Sequence, residues 1–524
     1  MRIAKAVHVC PRCFLIRNTI YGMMKKHRTM HTHREHGQGG TGMEWTSLLS
    51  TEKLAVEPEE PAVFRVYPIN AFEKDYRKIV SSAAFRRLQD KTQVFPLDKS
   101  DFVRTRLTHS IEVSTIARQL GIMISKNTTQ YQQIAPENAE GIASVLLCAG
   151  LLHDLGNPPF GHFGETVIGD WFRENLGKIL YKDRPLREWL APQMITDLEN
   201  FEGNAQALRI LLKARRGTGI NISAAIISTL VKYPTDSCSF DKDSPELKRH
   251  KLGYFAAEQE TFAQIARTVG TAPVEGEAAG RIARHPLTYL LEAADDIAYA
   301  TADLEDAFKK GLFTLDAFIS FYRGSYQEPE GTAHYTNVLL QQLCDLRGRE
   351  HTPESDANAF KAWLNEARQW LMYVAVYRFS YKYREIMAGT YCDDLFKETY
   401  HERTIGILKG AMGKFVFNTP DILKLELSAQ VILSFLLEHF VRAALYSDYS
   451  DAAHGYVPSK ADKKYLAIFS DNYKSDYKAA KTGDEAFDLY LRLLMVTDYI
   501  SGMSDEFAIR TFEDVFVPRK WHVL

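Results

Sequence analysis

From Met43 onward, apolar residues recur three and four positions apart, which is the period of an amphipathic helix. EVSTIARQLGIMIS, NAQALRILLKAR, PLTYLLEAADDIAYATADLEDAFKK and DEAFDLYLRLLMVTDYISGM all carry this period. Strand-like alternation between turn pairs is scarce, so the chain is expected to be all-α. One segment is apolar on every side: GIASVLLCAGLL, from Gly141 to Leu152, reads as a helix buried all round. It runs directly into HDLGNPPFGHFGE. His153 and Asp154 therefore stand at the end of a core helix, where polar groups must be paired or coordinated because leaving them unsatisfied is costly. The glycines and prolines after them fix an irregular turn, and His162 and Glu165 come next. Polar residues from Pro234 to Lys251, and Gly/Ala-rich residues from Gly270 to Gly280, read as insertions or long loops. Helical patterning resumes from about Glu328, so the expected division is a core over 43–327 and an additional C-terminal helical lobe over 328–524.

Composition narrows the class. The 524 residues can bury a substantial core, and 45% hydrophobic with 25% charged is ordinary soluble-protein usage. No stretch approaches the roughly 18 consecutive apolar residues of a membrane span, so a cytoplasmic protein without a membrane partner is expected. A formal net charge of -2 lends no support to a nucleic-acid partner, and any anionic ligand must be held by local cations. Six scattered cysteines (Cys10, Cys13, Cys148, Cys238, Cys344, Cys392) fit a reducing compartment better than a disulfide framework. Residues 1–42 differ from the rest: they are basic, His-rich and without the apolar region of a secretory signal. Cys10, Cys13, His27 and His31 approach zinc-finger spacing, yet no second module follows them. A disordered or non-native extension is expected there.

The candidate chemistry begins with four positions: His109 in RTRLTHS, the pair His153 and Asp154, and one aspartate of EAADDIAY. Two imidazoles with two carboxylates suit Mn, Fe, Co or Mg better than a closed structural zinc site. Such a set leaves coordination positions open for water or a phosphate oxygen. Asp295 and Asp296 compete for the last place. Residues four apart share a helical face, which groups Asp295 with Tyr299 and Asp303 and makes Asp295 the better candidate. That face also presents a phenol suited to a phosphate and a carboxylate suited to a sugar hydroxyl.

The ordered set His109, His153, Asp154, Asp295 resembles the HD phosphohydrolase superfamily, an all-α fold. FRRLQDKTQVFPL, RTRLTHSIEV, HDLGNPPFGHFGE, FEGNAQ, VKYP, EAADDIAYATADLED and DYISGMSDEFA narrow it. In that order, from about Ser81 to Ala508, they resemble the bacterial deoxyguanosine triphosphate triphosphohydrolases. Thr235 to Arg249, and Ser447 to about Lys481, depart from the pattern. The resemblance implies metal-dependent hydrolysis of dGTP, or another dNTP, to the deoxynucleoside and intact tripolyphosphate. It also implies one divalent metal per subunit, Mn or Mg before Co or Fe, and a homo-oligomer with a hexamer favoured.

By the same resemblance His162 and Glu165 form a catalytic dyad. Arg106, Asn204, Lys232, Tyr233 and Tyr299 offer a cradle for the phosphates, and Gln93 and Asp303 hold the sugar. KFVFNTPDILKLELSAQVI resembles the family's nucleobase pocket, with Phe417 stacking on the purine, Val94 pressing on it and Glu426 accepting from its edge. A carboxylate only accepts, and guanine presents two adjacent donors where adenine offers an acceptor, so Glu426 is expected to favour dGTP over dATP. Two other readings remain: a different HD-type hydrolase, such as a nucleotidase or phosphodiesterase, or a nucleotide-sensing protein with a silent site.

Overall fold

Helices form almost everywhere the apolar period is regular. The computed structural model describes residues 42–516 apart from 57–68, 96–99, 101, 130–133, 214–216, 218, 245–248, 272–281, 326–333, 349–350, 400 and 448–457. The N-terminal stretch with Cys10, Cys13, His27 and His31 lies outside the described residues. The helices that matter to the site are α1 (Arg106–Thr129), α2 (Ala139–Leu152), α3 (Gly161–Asn175), α4 (Gly203–Leu212), α5 (Ala224–Leu230) and α6 (Pro286–Ala298). Later in the chain come α7 (Pro353–Tyr381), α8 (Glu402–Met412), α9 (Pro420–Leu445), α10 (Glu485–Ser501) and α11 (Asp505–Phe516).

The all-round apolar segment is α2, whose Ile142, Val145, Leu146, Ala149 and Leu152 are buried. It lies along α1, and α6 packs on both. Gly150 permits the close approach of α2 to α1, since a Cβ there would sit 2.4 Å from the Ser114 Cα. α6 begins at Pro286, behind a His285 side chain that accepts the Leu287 N–H, and the fixed φ of proline suits a first helical position.

Met43–Leu524 forms one compact unit with two hydrophobic clusters. The first contains the buried faces of α1, α2 and α6 with Phe360, Trp363 and Leu408. The second joins Val167, Ile168 and Phe172 of α3 to Leu436 and Phe440 of α9 and Leu494 of α10. The C-terminal helices thus pack on the helix that carries His162. A buried charge network makes a second tie, because Asp498 on α10 accepts from Arg209 Nε at 2.8 Å and from Gln206 Nε2 at 2.7 Å, both on α4.

Two local departures from the periodic reading matter. Tyr299–Asp303 and Gly413–Phe417 are π-helical turns, so the face drawn from Asp295 through Asp303 is not that of a regular helix. Such turns admit one more residue per turn and are frequent at functional sites. The other departure is a two-stranded hairpin, Leu180–Tyr181 with Arg184–Pro185, turned by Lys182 and Asp183 at φ 47° and 59°.

Candidate active site

His109 lies in the first turn of α1, and His153 directly follows α2, so the close packing of those two helices sets the imidazoles side by side. Their ring centroids are 5.3 Å apart. Both rings are buried. His153 Nδ1 pairs with the Gly150 carbonyl at 2.9 Å, which makes Nδ1 the N–H and turns the Nε2 lone pair inward. That Nε2 has no hydrogen-bond partner, although Asp154 Oδ2 and Asp295 Oδ1 each stand 3.4 Å away. His109 Nε2 is 3.3 Å from the same Asp295 oxygen. Ligand atoms of His109, His153 and Asp154 fall within 4.8 Å of one another, the one such cluster among the described residues.

The electrostatics of this cluster fit a cation. Burial opposes charge on His153, but Asp154 and Asp295 outweigh it and raise the imidazole to about 10. Burial likewise opposes ionisation of Asp154 and Asp295, yet both stay well below the usual carboxylate range. His153 and Arg106 lower the first, and Lys232 and His153 lower the second. Two buried carboxylates drawing charge onto an imidazole mark a place that favours positive charge, and a metal cation there would take the place of the Nε2 proton. Asp154 is steadied by Arg106 at 2.8 Å and by Asn157 Nδ2 at 2.6 Å, and Asp295 by Lys232 Nζ at 2.5 Å. Asp296 is turned away onto Lys409 of α8 at 2.6 Å, and burial raises its carboxyl to about 6.

Backbone conformation shapes the turn after Asp154. Phe160 takes φ 63°, a left-handed conformation uncommon for a residue with a side chain, and Gly161 takes φ 63° after it. α3 then starts and presents His162, whose side chain is 73% exposed while that of Glu165 is 8% exposed. His162 Nδ1 lies 2.8 Å from Glu165 Oε2, and Glu165 Oε1 accepts the Gly203 N–H at 3.0 Å. A Cβ on Gly203 would sit 2.5 Å from Glu165 Oε1 and 2.3 Å from Asn157 Oδ1, so the FEGNAQ glycine is what lets the carboxylate seat. Glu165 raises the proton affinity of His162 by charge and hydrogen bond, against a smaller opposing effect of burial.

Gln93 Nε2 donates to Asp303 Oδ2 at 3.2 Å, and burial raises the Asp303 carboxyl to about 6. The two residues expected to hold the sugar are therefore bonded to each other. Tyr299 and Phe417, one on each π turn, lie nearly parallel at 10° with centroids 6.5 Å apart. Val94 and Glu426 are half-buried on separate elements, and Phe417 is 38% exposed. Tyr233 is half-buried, its hydroxyl raised to about 12 by burial and Glu292. Arg106, Lys232 and Asn204 are each committed to a carboxylate, Asn204 donating to Glu202 Oε1 at 2.7 Å.

Sequence reading missed Asn157, Glu202 and Lys251. Lys251 Nζ donates to Glu202 Oε1 at 3.0 Å, and the charge of Glu165 also raises its proton affinity. Lys251 closes the polar insertion that begins at Pro234, so the loop returns a cation to the dyad. Asn157 was visible as the one amide of HDLGNPPFGHFGE, and Glu202 as the acid of FEGNAQ.

Comparison with known proteins accords with this geometry. The HD domain family model matches residues 106–220, which span His109, His153, Asp154, His162 and Glu165. The deoxyguanosinetriphosphate triphosphohydrolase-like protein of Listeria monocytogenes is 41% identical, over 89% of this chain and 98% of that protein. A protein of the same description from Synechocystis is 32% identical over 88% of this chain and 97% of its own. The deoxyguanosinetriphosphate triphosphohydrolase of Yersinia enterocolitica is 31% identical over 89% and 98%. An all-α fold, a buried His/Asp cluster and relatives matched over nearly their whole length lead to one conclusion: the chain belongs to the deoxyguanosinetriphosphate triphosphohydrolase family of HD-domain phosphohydrolases.

Proposed function

We propose that the protein hydrolyses dGTP, before other dNTPs, to deoxyguanosine and intact tripolyphosphate in the cytoplasm. The observation that carries this reading is the unpartnered inward Nε2 of His153 among two carboxylates, joined by one short turn to a buried-acid, exposed-imidazole dyad on α3. His109, His153, Asp154 and Asp295 would hold one divalent metal, Mn or Mg first. When bound it supplies Lewis-acid stabilisation of phosphate charge.

The chain's own residues do the rest. Glu165 fixes the His162 ring and strengthens its hold on a proton, and the exposed ring then delivers that proton to the departing 5′-oxygen while water attacks the α-phosphorus. Arg106, Lys232, Asn204, Tyr233 and Tyr299 meet the triphosphate. The first three exchange part of their present carboxylate pairing for phosphate oxygens, which charge-assisted hydrogen bonds favour. Gln93 and Asp303, already bonded to each other, take the 3′-hydroxyl. Phe417, Val94 and Glu426 take the base, and the ring pair of Tyr299 and Phe417 supports a pocket completed by helices of the C-terminal lobe, 328–524, on the 43–327 core.

The test is a substrate screen of each dNTP and GTP with Mn or Mg, read by chromatography, on the parent and on Glu426→Ala. A hydrogen bond to a charged group contributes roughly 1.5–3 kcal/mol, so the variant should shrink the dGTP:dATP ratio of kcat/KM by about ten- to a hundredfold with metal content unchanged. Unchanged discrimination would remove Glu426 from the base pocket. No turnover of any nucleotide would reject the enzymatic reading.

A further inference from the structure

One block of the sequence, DYISGMSDEFA, has no part in the proposed chemistry, although it stands at the corner between α10 and α11. Its Asp505 carboxylate is 2% exposed and faces two functional loops at once. Asp505 Oδ1 accepts the Phe160 N–H at 2.9 Å. Oδ2 accepts the Thr92 N–H at 3.0 Å and also the Thr92 hydroxyl. Beside it the buried Lys91 Nζ donates to the Asn157 carbonyl and to the Ser501 carbonyl, both at 2.6 Å. The Lys91 carbonyl in turn accepts the Arg106 N–H at 3.1 Å, at the start of α1.

Apart from Ser501, each of these partners is one step from a residue of the proposed chemistry or is itself one. Phe160 is the left-handed residue two positions before His162, and its N–H is the bond by which Asp505 holds that turn. Asn157 donates to Asp154. Thr92 precedes Gln93 and Val94. The corner is also tightly built, since a Cβ on Gly502 would sit 2.3 Å from the Tyr473 hydroxyl. An apolar pair could fill this space, but it could not satisfy five backbone and hydroxyl groups from three separate segments. Burying an acid and an amine that serve such groups instead is a costly arrangement that fixes relative position.

We propose that Asp505, with Lys91, is a positioning clasp: the C-terminal corner locks the turn that leads into His162 in register with the segment that carries Gln93 and Val94. The inference rests on the phosphohydrolase reading. Without the clasp, the proton-carrying ring and the sugar-binding segment move independently, while His153 keeps its bond to the Gly150 carbonyl and Asp154 its bond to the Arg106 side chain.

The experiment uses the full chain with Asp505→Asn and Thr92→Val. The amide of Asp505→Asn retains one accepting oxygen and so can hold one loop but not both. It is expected to lose roughly 10- to 100-fold in kcat/KM on whichever nucleotide the parent turns over, because small misplacements of reacting groups cost that much. Manganese content should stay at the parent level. In the metal-free protein, amide exchange should rise together in peptides spanning 157–163 and 91–95, and less elsewhere in α10 and α11. Thr92→Val should show a smaller loss, with faster exchange in the 91–95 peptides. Parent kinetics with parent exchange in Asp505→Asn would overturn the clasp. So would faster exchange throughout α10 and α11 with unchanged kcat/KM per folded enzyme, which is a fold-only role. If Asp505→Asn does not fold, Thr92→Val decides by the same two readouts, and parent values in both overturn the clasp. Should dGTP prove not to be the substrate, the exchange result stands on its own, so the two failures are distinguishable.

Discussion

Asp295 and Asp296 are adjacent, equally acidic in the sequence and opposite in consequence. Asp295 stands 3.3 and 3.4 Å from the two imidazoles, whereas Asp296 meets Lys409 at 2.6 Å. Asp295→Asn should therefore abolish stoichiometric manganese binding and turnover, while Asp296→Asn keeps the metal and most activity; metal analysis with kinetics gives the ranking, and its reversal moves the ligand by one residue. The dyad gives a pH prediction. Glu165 raises the His162 pKa above the ordinary 6.5, so a general acid at His162 keeps its proton to higher pH than a free imidazole and is lost as pH rises through that elevated value. Glu165→Gln removes the raising cause, and the basic limb of the kcat profile should move down toward 6.5; a limb that stays put takes the acid role from His162. At this scale the sequence made the cluster legible because residue type and helical phase are local properties. It did not reveal that Arg106 and Lys232 are each bonded to a carboxylate, or that Lys251 returns to Glu202, because those pairings join residues 48 to 63 positions apart.

Helices were legible where apolar residues kept their period, as in α1 and α10, or ran apolar all round, as in α2, but how closely they pack was not. Gly150 shows the consequence. Its Cβ would meet the Ser114 Cα at 2.4 Å, backbone against backbone, so Gly150→Ala must push α1 from α2 at the point where His109 and His153 face each other. Overpacking of this kind costs about 1–3 kcal/mol, and denaturant unfolding should show that loss together with weaker manganese binding. Parent stability and parent metal affinity would mean that the two helices are not held at their closest approach. The π turns at Tyr299–Asp303 and Gly413–Phe417 escaped the periodic reading because one extra residue in a turn leaves the apolar pattern almost intact while rotating every later residue of the helix. The hairpin at Leu180–Tyr181 escaped because two-residue strands carry no measurable alternation.

Across the whole molecule, the C-terminal helices pack on α3 and bond to α4, the elements that carry His162 and seat Glu165. The protein is proposed to assemble as a homo-oligomer, hexamer favoured, and sedimentation at working concentration should show no monomer; a monomer alone would contradict it. No helix among the described residues is long and apolar enough to cross a membrane. The central claim is where the triphosphate is cut, and HD-type hydrolases that share metal ligands can differ only in that. The deciding measurement is the phosphorus species released by the full chain from dGTP and manganese in oxygen-18 water, followed by phosphorus NMR and mass spectrometry during the first turnovers. Intact tripolyphosphate is expected as the first product, with the heavy oxygen on its terminal phosphorus and none in deoxyguanosine. Orthophosphate or pyrophosphate appearing first, or the label in the 5′-hydroxyl, would contradict water attack at the α-phosphorus with the 5′-oxygen as leaving group.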